Sequence, residues 1–233
     1  MDSLVHFRFI NSTGNAFTNI SAHYDISNEI FSAFLSEDMT YSCAIFKNQD
    51  DSLETAQYYK LDCIIRQARI QRDDHVLEIG SGWGSFAIRA VQQTGCKVTT
   101  LTLSPEQKNL AEERIRAAGL EHEITVLLCD YRQHNAVRKY DKVIALEMIE
   151  HVGAEFLDTF FSKVNEYLKN EGGIAVFQLS TVPETRYEKY RKGVDFMQKW
   201  VCPILVCLVI ISDIPRWSLS VCNSTHCCHK FRF

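Results

Sequence analysis

The sequence predicts an α/β chain, a parallel sheet with helices on both faces and a helical cap in front of it. Three observations carry this. From His75 onward, short apolar runs alternate with segments of helical period, the pattern of βαβ units. The first run ends in a glycine turn that opens a helix, Glu78-Ile-Gly-Ser-Gly-Trp-Gly84. Upstream of His75, the ordered signals are helical.

Residues 1–20 read as irregular. Ile26, Ile30, Phe31, Phe34 and Leu35 share one face of a short helix over 26–36. Asp51-Ser-Leu-Glu54 has the pattern of a capping box, and a helix over about 52–68 follows. His75–Gly80 is the first strand, with a helix at about 84–94 behind it. Lys97–Leu103 is β-rich. Ser104-Pro-Glu-Gln107 starts a helix, with Ser as N-cap and Pro at N1, and Gly119 stops it. Ile124–Asp130 and Lys142–Glu147 are strands, the latter beginning near Tyr140. Phe156, Leu157, Phe160, Phe161, Val164, Tyr167 and Leu168 form one helical face that ends before Gly172-Gly173. Ile174–Ser180 is the fifth strand. Each crossover is expected to be right-handed. Ligands of such sheets bind outside the carboxyl ends of the strands. Attention therefore falls on Gly80–Gly84, Thr102–Gln107, Asp130–Arg132, Glu147–His151 and Gln178–Thr181.

Composition excludes several classes. The 233 residues are 46% hydrophobic and 23% charged, with a net charge of −4. That is an ordinary globular balance, not a disordered or fibrous one. No block of like charges marks a nucleic-acid surface. The longest apolar run, Val201–Ile211, contains Pro203 and is too short to span a bilayer. His6 and Arg8 interrupt the N-terminal apolar stretch, so no signal peptide is expected and the sequons at Asn11, Asn19 and Asn223 are expected to be unused. The nine cysteines then read as reduced thiols of a cytoplasmic protein.

Five of those cysteines crowd into the tail: Cys202, Cys207, Cys222, Cys227 and Cys228. The periodic signals stop near Trp200. The expected organisation is an N-terminal segment and cap over 1–70, a core over 71–200 and an atypical tail over 201–233. Cys222, His226, Cys227, Cys228 and His229 match no regular zinc-ligand spacing, so no metal is expected.

The glycine turn is not the dinucleotide spacing G-x-G-x-x-G. Glycines at alternate positions suit close backbone approach to a ligand without a pyrophosphate. A plain strand-to-helix turn is the alternative reading.

With its neighbours the turn resembles motif I of the class I S-adenosylmethionine-dependent methyltransferases, a Rossmann-like fold. More narrowly, the chain resembles the cyclopropane-fatty-acyl-phospholipid and mycolic acid cyclopropane synthases over about 19–200. The motifs are His23-Tyr-Asp-Ile-Ser27, Met39-Thr-Tyr-Ser-Cys43, Glu78–Gly84, Leu101-Thr-Leu-Ser-Pro-Glu-Gln107 and Glu147-Met-Ile-Glu-His-Val-Gly153. The second strand ends Thr100-Leu-Thr-Leu103 without the acid common in other methyltransferases, in keeping with that family.

The resemblance implies a lipid enzyme with S-adenosyl-L-methionine as cofactor and a bound bicarbonate as base. It would form a cyclopropane ring across a cis double bond of an unsaturated phospholipid acyl chain, at the periphery of a membrane. Gly80, Gly82 and Gly84 would cradle the methionine part of the cofactor. Tyr41 and Ser42 would contact it from the cap. Thr102, Leu103 and Gln107 would hold the ribose side, and Tyr131, often Trp in the family, would lie beside the adenine. Cys43 through its backbone, Glu150 and Gln178, often His in the family, would hold the bicarbonate. Bland readings stand beside these: His23 and Tyr24 as packing of the first helix, Cys43 as a small core residue, Glu150-His151 as a solvated helix start, Trp83 as a cover for the turn.

The resemblance also implies a sheet order of 3-2-1-4-5-7-6. The tail does not look like the family's closing hairpin, so the last two strands are expected to be missing. The fifth strand would then be a bare apolar edge. A small-molecule amine N-methyltransferase and an inactive, truncated cofactor-binding product are the competing functional readings.

Overall fold

The computed structural model describes residues 27–180 and the strand residues 218–221 and 228–232, with isolated positions at 13, 14, 16 and 185. The expected motif residues His23–Ile26, the tail segment 201–217 and the cysteine cluster 222–227 lie outside the described residues.

The described chain begins with a short helix α1 (Asn28–Ser32) and a loop, then α2 (Leu53–Ala68). The sheet and its helices follow as β1 (His75–Ile79), α3 (Ser85–Thr94), β2 (Lys97–Thr102), α4 (Pro105–Ala117) and β3 (Ile124–Leu128). β4 (Lys142–Leu146), two 3-10 turns, α5 (Leu157–Tyr167) and β5 (Ile174–Gln178) complete the alternating part. β6 (Ser218–Val221) and β7 (Cys228–Arg232) come from the tail.

Local chemistry places the ends. The α2 cap is Ser52, whose side chain accepts the Thr55 N–H. Asp51, one residue earlier, instead accepts the Lys47 and Asn48 N–H groups and shapes the preceding turn. Ser104 caps α4 by accepting the Gln107 N–H, with Pro105 at the first helical position. Helix α1 is shorter than its apolar pattern suggested. Among the described residues of that face, only Phe31 is buried, while Ile30 and Phe34 are exposed.

The sheet runs β3-β2-β1-β4-β5-β7-β6. Its first five strands are parallel and the last two form an antiparallel hairpin on β5. The expectation that two strands are missing is therefore corrected. Ile174–Gln178 is buried along its whole length and offers a row of edge N–H and C=O groups. Buried backbone groups demand partners, and Cys228–Arg232 supplies them in register from Ala175↔Phe231 to Gln178↔Cys228. A five-residue strand in a segment without sustained periodicity carries no local signal of that pairing.

Strand parity divides the core. Val76, Ile144 and Val176 face one layer with α2, α3 and α4. Leu77, Val143, Ala145, Ala175 and Phe177 face the other, against Phe160, Phe161 and Val164 of α5. Successive side chains of a strand point to opposite faces, so both layers draw on the same strands. A third, small cluster of Phe31, Met39 and Trp83 fixes the cap to the glycine turn. The Trp83 indole N–H donates to Asn28 at 2.7 Å, and Arg114 donates to the Trp83 carbonyl at 2.7 Å. Trp83 thus covers the turn, as its bland reading had it, and ties α1 to α4 as well.

Candidate active site

A cleft opens at the carboxyl ends of β1, β2, β3 and β4, roofed by the loop 39–42. It encloses about 1050 Å³, the open mouth included. Of the residues expected around a cofactor, Tyr41, Ser42, Gly80, Gly82, Thr102, Leu103, Gln107 and Tyr131 line it. Gly84 does not. It caps α3 at φ 85, and a Cβ there would meet the Ala111 Cβ at 3.4 Å. Its place is the close approach of α3 to α4.

Each wall is fixed by its own bonds. Gly80 and Ser81 both donate their N–H to the Leu101 carbonyl, at 3.0 and 2.8 Å, which bends the turn over β2. Gly82 has φ 47 and nothing within 4 Å of where a Cβ would sit. Thr102 donates to the Gln107 side-chain oxygen at 2.8 Å, so the end of β2 and the first turn of α4 are joined inside the cleft. Asp130 is buried and pairs with Arg132 at 2.6 Å. This i,i+2 pair folds the loop that carries Tyr131. The Tyr131 ring packs edge-on to Phe160 at 5.4 Å between centroids, and burial pushes its hydroxyl up to about 12.

The roof is held from α2. Gln57 donates to the carbonyls of Thr40 and Ser42, at 3.3 and 2.8 Å. Lys60 is fully buried and donates to the Ser42 hydroxyl at 2.5 Å. Asp38 accepts the hydroxyls of Ser36 and Thr40, and the Ser85 hydroxyl donates to the Asp38 carbonyl. Neither Gln57 nor Lys60 stands out in the sequence. Polar positions on the buried side of an otherwise amphipathic helix are the signal that marks them.

At the end of β4, Cys43, Glu147 and Gln178 converge. The Glu147 carboxylate accepts the Cys43 N–H at 2.8 Å and the Gln178 side-chain N–H at 2.9 Å. Gln178 also donates to the Cys43 carbonyl at 3.2 Å. Glu147 lines the cleft, whereas Cys43, Glu150 and Gln178 do not. Glu150 is buried and accepts the Ser180 N–H at 2.5 Å. Burial pushes its carboxyl up to about 7, and the nearby charge of Glu147 adds to this. Of the three residues expected there, Glu150 thus bonds Ser180 instead, while Cys43 and Gln178 meet at Glu147, to which the sequence assigned no role. Its place directly after a parallel strand, at the carboxyl end, is the signal that points to it.

Glu78 is the second unassigned acid. It lines the cleft from the end of β1, is 2% exposed, and burial pushes its carboxyl up to about 8. Cys43, Cys63, Cys96 and Cys129 are free thiols. Among the described residues, no helix is long and apolar enough to cross a membrane.

Five parallel strands ordered around β1, an antiparallel hairpin on β5, a glycine turn after β1 and a cleft across the strand ends define the fold of the class I S-adenosylmethionine-dependent methyltransferases. The family model for mycolic acid cyclopropane synthetase matches residues 11–215, beyond the 19–200 read from motifs. The chain belongs to that family. It is 39% identical over 199 residues to the tuberculostearic acid methyltransferase UfaA1 of Mycobacterium tuberculosis, covering 82% of this chain and 46% of the relative. It is 39% identical over 160 residues to the cyclopropane-fatty-acyl-phospholipid synthase of Escherichia coli K12, covering 69% of this chain and 39% of the relative. The chain thus spans about half the length, or less, of these curated relatives. The crystal structure of mycolic acid cyclopropane synthase CmaA1, complexed with SAH and CTAB, superposes with a TM-score of 0.76 at 28% identity, covering 83% of this chain and 70% of that one.

Proposed function

We propose that this chain carries the methyl-transfer site of a lipid-modifying enzyme, acting on the cis double bond of an unsaturated phospholipid acyl chain and forming a cyclopropane ring. The observation that carries the reading is the opposition of two walls. The Gly80–Gly82 cradle lies on one side of the cleft and the strapped roof Tyr41-Ser42 on the other. The open space at Gly82 is where a Cβ would intrude, so the turn fits S-adenosylmethionine. Bound there, that cofactor would supply an electrophilic methyl group.

The chain's own residues would then do four things. Gly80 and Gly82 let backbone approach the methionine part. Thr102 and Gln107, already bonded to each other, present a fixed polar edge to the ribose. Tyr131 closes the adenine end. Tyr41 and Trp83 place aromatic side chains in the lining of the cleft, the side-chain type suited to a carbocation.

An exposed apolar patch that reaches the cleft at Tyr41 supports a lipid partner. Ile30, Phe34 and Tyr41 are 50%, 54% and 42% exposed. The Phe34 and Tyr41 rings lie 6.2 Å apart. Such a patch suits contact with a membrane surface, from which an acyl chain would enter. A methyl-branched product is a second reading, favoured by the match to a relative named a tuberculostearic acid methyltransferase.

The test is incubation of the chain with methyl-labelled S-adenosylmethionine and vesicles of monounsaturated phosphatidylethanolamine, followed by mass spectrometry of the acyl chains. A ring-bearing chain heavier by one CH2 is expected. Label on a branched methyl would select the second reading, and label on a small amine alone would overturn both.

A further inference from the structure

Glu147 stands where the family resemblance would put bicarbonate. The donors assigned to that anion are the Cys43 N–H and the side chain of Gln178. Both already point at one oxygen of Glu147, at 2.8 and 2.9 Å. The backbone agrees with the side chain. Glu147 is held at φ 47, a left-handed conformation that disfavours a non-glycine residue. Its N–H donates to the Gln178 carbonyl at 2.7 Å. Strain of this kind persists only where the surroundings over-determine it.

Charge points the same way. Glu150 is buried in the same cluster, and Glu147 already raises its carboxyl. The cation acting on Glu147 is Lys60, whose ammonium also holds Ser42. A separate bicarbonate would place a third acid against Glu147 and Glu150 and would need donors that are already engaged. The residues present therefore do not fit it.

We propose that the Glu147 carboxylate replaces bicarbonate, so that the proton acceptor of the reaction is built into the chain. This rests on the lipid-modifying reading above. Once the acyl chain carries the new methyl and a positive charge, one C–H bond of that methyl breaks. The proton passes to Glu147. The electron pair of the broken bond closes the ring on the cationic carbon. A cation and a carboxylate become a neutral product and a carboxylic acid, which returns its proton to water as the product leaves. Burial raises the Glu147 carboxyl above the usual range, which makes it the better acceptor.

The experiment uses the full chain in buffer stripped of carbon dioxide. In the first arm, protein loaded with S-adenosylhomocysteine is titrated with 13C-bicarbonate and followed by NMR. The parent is expected to show no saturable binding. Glu147→Gly, which frees both donors and relieves the left-handed backbone, is expected to bind it. In the second arm, lipid turnover is measured with and without bicarbonate. The parent is expected to be indifferent. Glu147→Gln is expected to lose about 100-fold or more, the scale of a lost general base, without rescue, while Glu147→Gly recovers on adding bicarbonate. Saturable bicarbonate binding by the parent, or its loss of activity on stripping, overturns the proposal. If no variant converts lipid under any condition, the lipid reading fails, and the binding arm still decides whether Glu147 fills the anion site.

Discussion

A side chain at position 82 would project into the open space of the cleft. The backbone there has φ 47, where a β-branched residue is strained by about 1–2 kcal/mol or more. Gly82→Val is expected to weaken S-adenosylmethionine binding at least about tenfold while leaving the circular dichroism spectrum unchanged. Calorimetry that returns the parent's affinity would remove the glycine turn from the site. Glu150 behaves differently, because it lies behind the cleft. Glu150→Gln keeps an acceptor for the Ser180 N–H but removes a carboxylate beside Glu147. Turnover is expected to fall about tenfold or more, with cofactor affinity within about twofold. Equal losses in kcat and in cofactor affinity would mark Glu150 as part of the fold rather than of the chemistry.

At the scale of elements, α2 acts as the strap of the cleft roof. One face of it packs into the core through Leu61, Ile64, Ile65 and Ala68. Gln57 and Lys60, on the same helix, hold the roof loop through three hydrogen bonds. Lys60→Met keeps the stem buried and removes the charged donor. A hydrogen bond to a charged group contributes about 1.5–3 kcal/mol. Cofactor affinity is therefore expected to drop about ten- to a hundredfold, with the loop more open to proteolysis. An unchanged affinity with an unchanged cleavage pattern would show that the roof is set by Asp38 and Ser85 instead.

The whole molecule carries two consequences. The first is a pH dependence of stability. Burial raises Glu78 to about 8 and Glu150 to about 7 from a usual 4.5. The folded state therefore keeps protons that the unfolded chain has released. This contribution is complete below about pH 4.5 and is lost as pH rises through 7 to 8. Glu78→Gln is expected to flatten the fall of stability between pH 5 and 8, by at most about 1.4 kcal/mol per pH unit. Denaturant titrations at each pH check it, and parallel curves for parent and variant would contradict it. The second concerns the sheet edge. Deleting residues 218–233 would strip β7 and β6 from β5. The bare edge is expected to lower the melting temperature and to raise light scattering on warming. A deletion that stays monodisperse with the parent's melting temperature would show that the hairpin adds nothing.

Much of this fold was legible because helix and strand periods report local burial. The alternation from His75, the glycine turn, the Ser104-Pro105 start and the stop before Gly172-Gly173 all coincide with observed elements. Gly173 is needed in the turn that follows: a Cβ there would lie 2.4 Å from the Lys169 carbonyl oxygen. The same local logic placed the cleft, since a parallel sheet binds at its carboxyl ends. What tertiary structure alone decided are pairings between distant positions. Cys43 and Glu147 are 104 residues apart, and the bond between them depends on how the roof loop crosses the end of β4. No period encodes that path. The buried edge of β5 likewise takes a partner from a tail whose own pattern does not announce a hairpin. The residues set which surfaces need covering, and the packed chain settled which groups cover them.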